Sequence, residues 1–178
     1  LFAGVNYRMD ELRAAVLREQ LKRLDGILSA LRSRRQRLKE LLAGAPGITF
    51  APCHEEAGDC GVSLYLQVAG RADALAFAAA AQAQKVPVNL PLDSGRHVYS
   101  NWEPLMRRRG AYHPAFDPLH TTAAGRAQKY APDMLPRTLE HLARTVSVPI
   151  GYRWSEAELR AAADGLRAAA ASKDRLAA

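Results

Sequence analysis

Three groups of residues in this sequence combine side chains that could do chemistry. Asn6, Tyr7 and Arg8 stand together ahead of a long amphipathic run. His97, Tyr99 and Trp102 lie in a long irregular stretch, and Cys53, His54 and Cys60 lie among Glu55, Glu56 and Asp59. Asparagine tolerates left-handed backbone and bonds its own main chain, so a turn alone accounts for Asn6. Arg8 is one of twenty arginines, and on residue chemistry the first group reads as structural. The second group offers aromatic faces and an imidazole, which suit a sugar ring and its hydroxyls. A surface loop around a buried Trp102 is the even alternative. The third group invites a metal, but its spacing is not that of a zinc knuckle and no second Cys-x-x-Cys or His-x-x-x-His follows. No metal is expected.

Other candidates have plainer readings. Arg107, Arg108 and Arg109 form a basic knot that could meet a diphosphate, although a solvated helix end fits better. His113, His120 and His141 pair with no nucleophile. The arginines between Arg32 and Arg37 resemble a nucleic-acid stripe, yet they share a helix with a regular leucine seam and no stacking aromatics accompany them. Nucleic acid is therefore disfavoured. No Walker-type or dinucleotide glycine loop is present.

The elements that must position these residues follow from periodicity. Asp10 can cap a helix starting near Glu11, with acidic residues at the positive end of its dipole. Leu17, Leu24, Leu31 and Leu38 recur every seven residues, with Leu21, Leu28 and Leu42 beside them and Arg35 interrupting the second row. Gly26 marks a bend or break, and the Gly44-Ala-Pro-Gly47 run ends the helix. Strands are predicted over 48–50, 62–68, 86–90 and 146–150, and helices over 71–84, 103–109, 135–144 and 155–170. A Ser155–Glu158 capping box opens the last helix. The stretch 91–131 is long for a compact domain and reads as functional or mobile.

The 178 residues suit one domain with a real core, split into a leading helix (1–44) and a compact body (45–178). Net charge is +7 with 48% apolar residues, an ordinary globular balance. Two cysteines make no disulfide framework. No apolar run spans a bilayer and no signal segment is evident, so a soluble, cytoplasmic chain is expected. The start at Leu1, without an initiator Met, reads as a cut piece.

Gly4, Asn6, Tyr7, Arg8, Met9, Glu11, Leu12, Ala14, Ala15, Gln20, Leu21, Leu24 and Asp25 stand in an order that resembles one known family. It is that of the turn and helix opening the second half of the DegT-type, pyridoxal-phosphate-dependent nucleotide-sugar aminotransferases. The segments 130–150 and 154–159 are similar to that family as well, so the resemblance brackets the chain. It implies an α/β (α+β) small C-terminal domain of fold-type I enzymes: a long leading helix and a small, mainly antiparallel sheet covered by helices. The cofactor, pyridoxal 5'-phosphate, would be held mainly by a domain preceding Leu1, on a lysine absent from this chain. Asn6 would inherit a neutral donor to the cofactor phosphate of a neighbouring subunit, and Arg8 a place facing the shared active site. Tyr7 would line the same cleft or pack on the helix start. His97, Tyr99 and Trp102 stand where many members carry a His-Tyr, Pro-Leu-His substrate loop, here in a different arrangement. The partners implied are a second copy, a nucleotide-sugar or cyclitol, and glutamate or glutamine as amino donor. The isolated chain should not transaminate. A dehydratase on the same scaffold, a non-catalytic regulatory relative and a basic nucleic-acid binder are the alternatives.

Overall fold

The computed structural model describes residues 8–95 and 98–176, with side chains described as far as Ser172. Asn6, Tyr7 and His97 lie outside the described residues. Asp10 caps α1 (Glu11–Leu21) through its carboxylate, which accepts from the Arg13 N–H at 2.8 Å. The helix then breaks at Lys22–Arg23 and resumes as α2 (Leu24–Leu42). The expected break thus falls just ahead of Gly26, which sits in the first turn of α2. A glycine there weakens the helix by about 1 kcal/mol relative to alanine. Gly44 and Gly47, both in the left-handed region, carry the chain out of α2 as expected.

The leucine seam has two fates. Leu31, Leu38 and Leu42 are buried in α2, whereas α1 buries no residue at all. Met9, Leu12, Val16, Leu17, Leu21 and Leu24 are all exposed. Arg35, which interrupts the second row, is itself buried. Its guanidinium donates to Glu56 at 2.5 Å, and Lys39 holds the other Glu56 oxygen at 2.8 Å. A buried charge is tolerated because it is paired.

Three antiparallel strands form the sheet, in the order β1 (Thr49–Phe50), β2 (Ser63–Gln67) and β3 (Thr145–Pro149). Tyr65 pairs with Ser147 and Leu66 with Val146. Side chains alternate across a strand, so Leu64, Leu66, Val146 and Val148 share the inner face and are buried. The strand predicted over 62–68 alternates Val62, Leu64, Leu66 and Val68 on one face, but Val62 is exposed and the inward set begins at Leu64. The predicted strand over 86–90 reduces to one bridge, in which Asn89 and Ser147 exchange backbone hydrogen bonds of 2.8 Å. Pro87 has no N–H to extend that ladder, and the Val86 N–H is spent on Ala81 at the end of the preceding helix.

The inner face is covered by α2, by α3 (Arg71–Ala83) and by α8 (Glu156–Leu176), which pack together into one core. Small residues allow the helices to approach: Ala74, Ala78 and Ala81 of α3, and Ala162, Ala163, Ala169 and Ala170 of α8, with Phe77 and Leu166 filling between them. The capping box forms, with the Ser155 N–H donating to Glu158 at 2.7 Å and the Glu158 N–H to the Ser155 hydroxyl at 3.3 Å. Between Asn89 and β3 the described residues include the short α-helices α4 (Glu103–Met106), α5 (Pro118–Thr121), α6 (Ala123–Ala127) and α7 (Pro136–Ala143), with single 3-10 turns between some of them. The fold is thus the expected α+β layer, with helices over one face of a small antiparallel sheet.

The split seam has a measurable consequence. Leu38→Ala and Leu66→Ala should each lower unfolding free energy by about 2–5 kcal/mol. At protein concentrations low enough to keep the chain monomeric, Leu17→Ala and Leu21→Ala should change it by less than about 0.5 kcal/mol. Urea unfolding followed by circular dichroism separates the two classes.

Candidate functional site

The sheet's second face carries Ser63, Tyr65, Gln67, Thr145 and Ser147, the polar half of the same alternation. Over it lies a cavity of about 880 Å³, bordered by Tyr65, Asn89, Asp93, Leu142, Thr145 and Ser147 among others. Its lining mixes hydroxyls, two amides and the Asp93 carboxylate with apolar Ala78, Val88, Leu90, Pro91 and Leu142, and among the described residues it holds no cation. Arg71 grips Asp93 through one guanidinium nitrogen at 2.6 and 2.7 Å, which ties the rim of the cavity to the start of α3.

From that rim the chain enters the irregular stretch singled out by sequence. Val98 is buried and anchors it. The Tyr99 hydroxyl donates to the Pro132 carbonyl at 2.7 Å and accepts from the Leu135 N–H at 3.1 Å. Tyr99 therefore straps the loop to the entrance of α7, and its oxygen is already engaged. Trp102 leads into α4 and is 49% exposed, so the alternative that made it a core residue is overturned. Of the loop residues expected to meet a substrate, only Trp102 presents a large described surface. At the other end, Arg8 is exposed and precedes the bare face of α1. Nothing among the described residues brings Arg8 into the cavity's lining.

Arg108, which the sequence suggested was part of a solvated basic knot, and Asp117, which it did not single out, hold the rest of the stretch. Arg108, in the left-handed region at φ 53°, turns its guanidinium inward. It donates to the carbonyls of Leu119 at 2.7 Å and Gly125 at 3.0 Å, and also to Gln128. The basic knot is thus a brace. Arg107 pairs with Glu103 at 2.9 Å, and Arg108's own carbonyl meets the His120 Nε2 at 2.7 Å. Asp117 is buried, and its carboxylate accepts from the N–H groups of Gly110 at 2.7 Å and Leu119 at 2.9 Å. Gly125 must be glycine, because a Cβ there would lie 1.9 Å from the Pro118 carbonyl oxygen. An ordinary Arg and Asp in a polar stretch carry no sequence signal, since their partners are main-chain groups several residues away.

The remaining candidates resolve similarly. Arg32, Arg34 and Arg37 donate to the Asp59 carbonyl, the Trp154 carbonyl and Glu156 at 2.7–2.8 Å, so the basic stripe is spent inside the domain. Among the described residues no group of His, Cys, Asp and Glu could hold a metal ion, and no described helix is long and apolar enough to cross a membrane. Lys22 and Lys39 are paired with Glu19 and Glu56, and no lysine borders the large cavity. The described residues alone do not fit a cofactor carried as a lysine Schiff base.

A small antiparallel sheet with helices on one face and two consecutive helices leading in recurs in solved structures. Solved structures with this arrangement include the aminotransferase TlmJ from Streptoalloteichus hindustanus, with a TM-score of 0.62 and 17% identity over 96% of this chain. Another is 3-amino-5-hydroxybenzoic acid synthase, at 0.62 and 19% over 97%. A third is a DegT/DnrJ/EryC1/StrS aminotransferase from Brucella abortus, at 0.57 and 22% over 92%. The chain spans only 38%, 41% and 36% of those chains, respectively. The profile of the DegT/DnrJ/EryC1/StrS aminotransferase family matches residues 1–167, and this chain belongs to that family of pyridoxal-phosphate-dependent enzymes.

Asp117 gives the loop a pH signature. Burial pushes its pKa up, but the N–H groups of Leu119, Gly110 and Ala111, with His120 nearby, outweigh burial and hold it below its ordinary value. A depressed carboxylate stabilises the fold fully above its unfolded value of about 3.9, and that contribution disappears as pH falls through the folded value. Asp117→Asn should therefore be less stable than wild type at neutral pH, and the difference should shrink on acidification below about pH 4. Urea midpoints measured at several pH values test the sign.

Proposed function

We propose that this chain is the small C-terminal domain, with its leading helix, of an enzyme that transfers an amino group from glutamate or glutamine to a keto-sugar or keto-cyclitol. Residues 1–44 act as the interdomain and subunit-contact element, and residues 45–178 form the small domain proper. One observation carries the reading. The apolar row that is buried along α2 continues, uncovered, along α1, and the family match covers both helices. A row of six exposed large apolar residues on one short segment calls for a covering surface, because such patches on isolated soluble chains are small.

The reading assigns limited roles to this chain. The Asn6 amide would donate to the phosphate of pyridoxal 5'-phosphate in a neighbouring subunit, and Arg8 would meet a carboxylate or phosphate of donor or substrate. Tyr7, His97 and Trp102 would line the substrate side, and Tyr99 would set the position of that loop through its hydroxyl. The lysine that carries the cofactor would lie in the part of the enzyme corresponding to the unmatched length of its relatives. No transfer step is assigned to a residue of this chain, and the chain alone should not transaminate.

Two experiments test this. In the parent reading frame upstream of Leu1, a lysine at the Schiff-base position is expected, whereas a histidine there would mark a dehydratase on the same scaffold. Mixed with pyridoxal phosphate and glutamate, the chain alone should form no amino-donor-dependent pyridoxamine species, and turnover would overturn the division of labour. The subunit-contact role is tested separately by sedimentation velocity. The wild-type chain should self-associate, and a Leu17→Glu, Leu21→Glu double variant should run as a monomer with an unchanged circular dichroism spectrum. A wild-type chain that stays monomeric at high concentration would remove the contact role of α1.

A further inference from the structure

Trp102 stands exposed at the head of α4, on a helix of one turn whose four residues are all only partly buried. A single turn has too few internal hydrogen bonds to persist unaided. Its ends are held from outside. Ahead of it lies the 3-10 turn Tyr99–Asn101, and the Trp102 N–H donates to the Tyr99 carbonyl at 2.9 Å. The Trp102 carbonyl then accepts from the N–H groups of Leu105 at 2.9 Å and Met106 at 3.0 Å.

The far end of α4 runs into Arg108, whose N–H donates to the Leu105 carbonyl at 2.9 Å. Its backbone is left-handed, at φ 53°, a region that favours glycine and is costly for a residue with a Cβ. The side chain offsets that strain. Its guanidinium donates to Leu119 of α5, to Gly125 of α6 and to Gln128, the residue that ends α6. Those carbonyls belong to one tightly bonded unit. The Thr122 hydroxyl donates to the Pro118 carbonyl at 2.8 Å and accepts from the Gly125 N–H at 2.9 Å. The Arg108 carbonyl meets the same unit through the His120 Nε2. Arg108 thus joins α4 to α5 and α6 by side chain and main chain together.

We propose that Arg108 is a positioning residue for Trp102: its left-handed turn aims the guanidinium at the α5–α6 unit and so fixes α4 and the ring that α4 presents to the amino acceptor. The proposal rests on the aminotransferase reading, in which Trp102 lines the substrate side. The three guanidinium bonds all run to main-chain carbonyls, so the role is geometric and not one of charge neutralisation. Lysine cannot reproduce it, because a single ammonium lacks the planar fork that spans carbonyls on separate segments. Glycine adopts left-handed backbone freely. Arg108→Gly therefore removes the clamp while easing the turn, which separates the side chain's role from that of the backbone.

Two measurements test this. In the chain carrying Trp154→Phe, Trp102 is the sole tryptophan, and the anisotropy decay of its emission reports how firmly the ring is held. Arg108→Gly should raise the share of nanosecond local motion with far-ultraviolet circular dichroism unchanged, and Arg108→Lys should fall between it and wild type. Should Arg108→Gly not fold, Arg108→Lys carries the same test at smaller amplitude. In the full-length enzyme, Arg108→Gly should raise KM for the amino acceptor roughly two- to tenfold, the range for loss of one aromatic contact, with kcat within about twofold of wild type. Trp102→Ala should do the same. The double variant should then be no worse than Trp102→Ala alone, because a residue that acts through another gives non-additive effects. Additive losses, a fall in kcat at unchanged KM, or an anisotropy decay identical to wild type would overturn the proposal. A full-length enzyme that transfers no amino group would overturn the aminotransferase reading instead, and the anisotropy decay would still decide whether Arg108 places Trp102.

Discussion

One constraint organises this molecule: an apolar row that runs the length of two consecutive helices but finds a core for only half of it. Along α2 the row meets the inner face of the sheet and α8, and Leu31, Leu38 and Leu42 disappear from solvent. Burying a leucine fully is worth about 1.5–3 kcal/mol, so this half binds the leading segment firmly to the domain. Along α1 the same kind of residues earn nothing within the chain. The chain spans 36–41% of its structural relatives, and the uncovered half of the row is what the proposed contact role would occupy.

The domain is held in two different ways. Its core is apolar and tightly layered, with alanine-rich α3 and α8 approaching closely over four inward strand residues. The long stretch between Asn89 and β3 has little apolar anchoring beyond Val98. Order there comes from polar side chains that satisfy main-chain groups: Tyr99 at the entrance of α7, Arg108 on three carbonyls and Asp117 on two N–H groups. The Arg108 and Asp117 bonds are charge-assisted and so among the strong ones, and Asp117 is buried. A loop built this way keeps its shape while leaving Trp102, Tyr112 and Phe116 at the surface.

The basic excess also takes on a different meaning in three dimensions. Arginines that read as a stripe along a helix point to separate partners, among them the Asp59 and Trp154 carbonyls, Glu56 and Glu156. They fasten α2 to the loop before β2 and to the start of α8. Net charge remains, but the feature that suggested a nucleic-acid surface is an internal set of clamps.

Local features were legible from the residues alone. The Asp10 cap, the glycine exit after α2, the Ser155–Glu158 box and the alternation in β2 each depend on neighbours a few positions away. Short-range geometry leaves them few alternatives. The ordered run from Gly4 to Asp25 also placed the chain in its family before any coordinates. What the sequence could not settle is which half of the leucine seam would be covered, that Val62 would stay outside and that 86–90 would pair at one residue only. Nor could it show that the Tyr99 hydroxyl and the Arg108 guanidinium would be consumed by the backbone. Those outcomes depend on contacts between residues far apart in the chain, whose distances exist only once the helices have closed over the sheet.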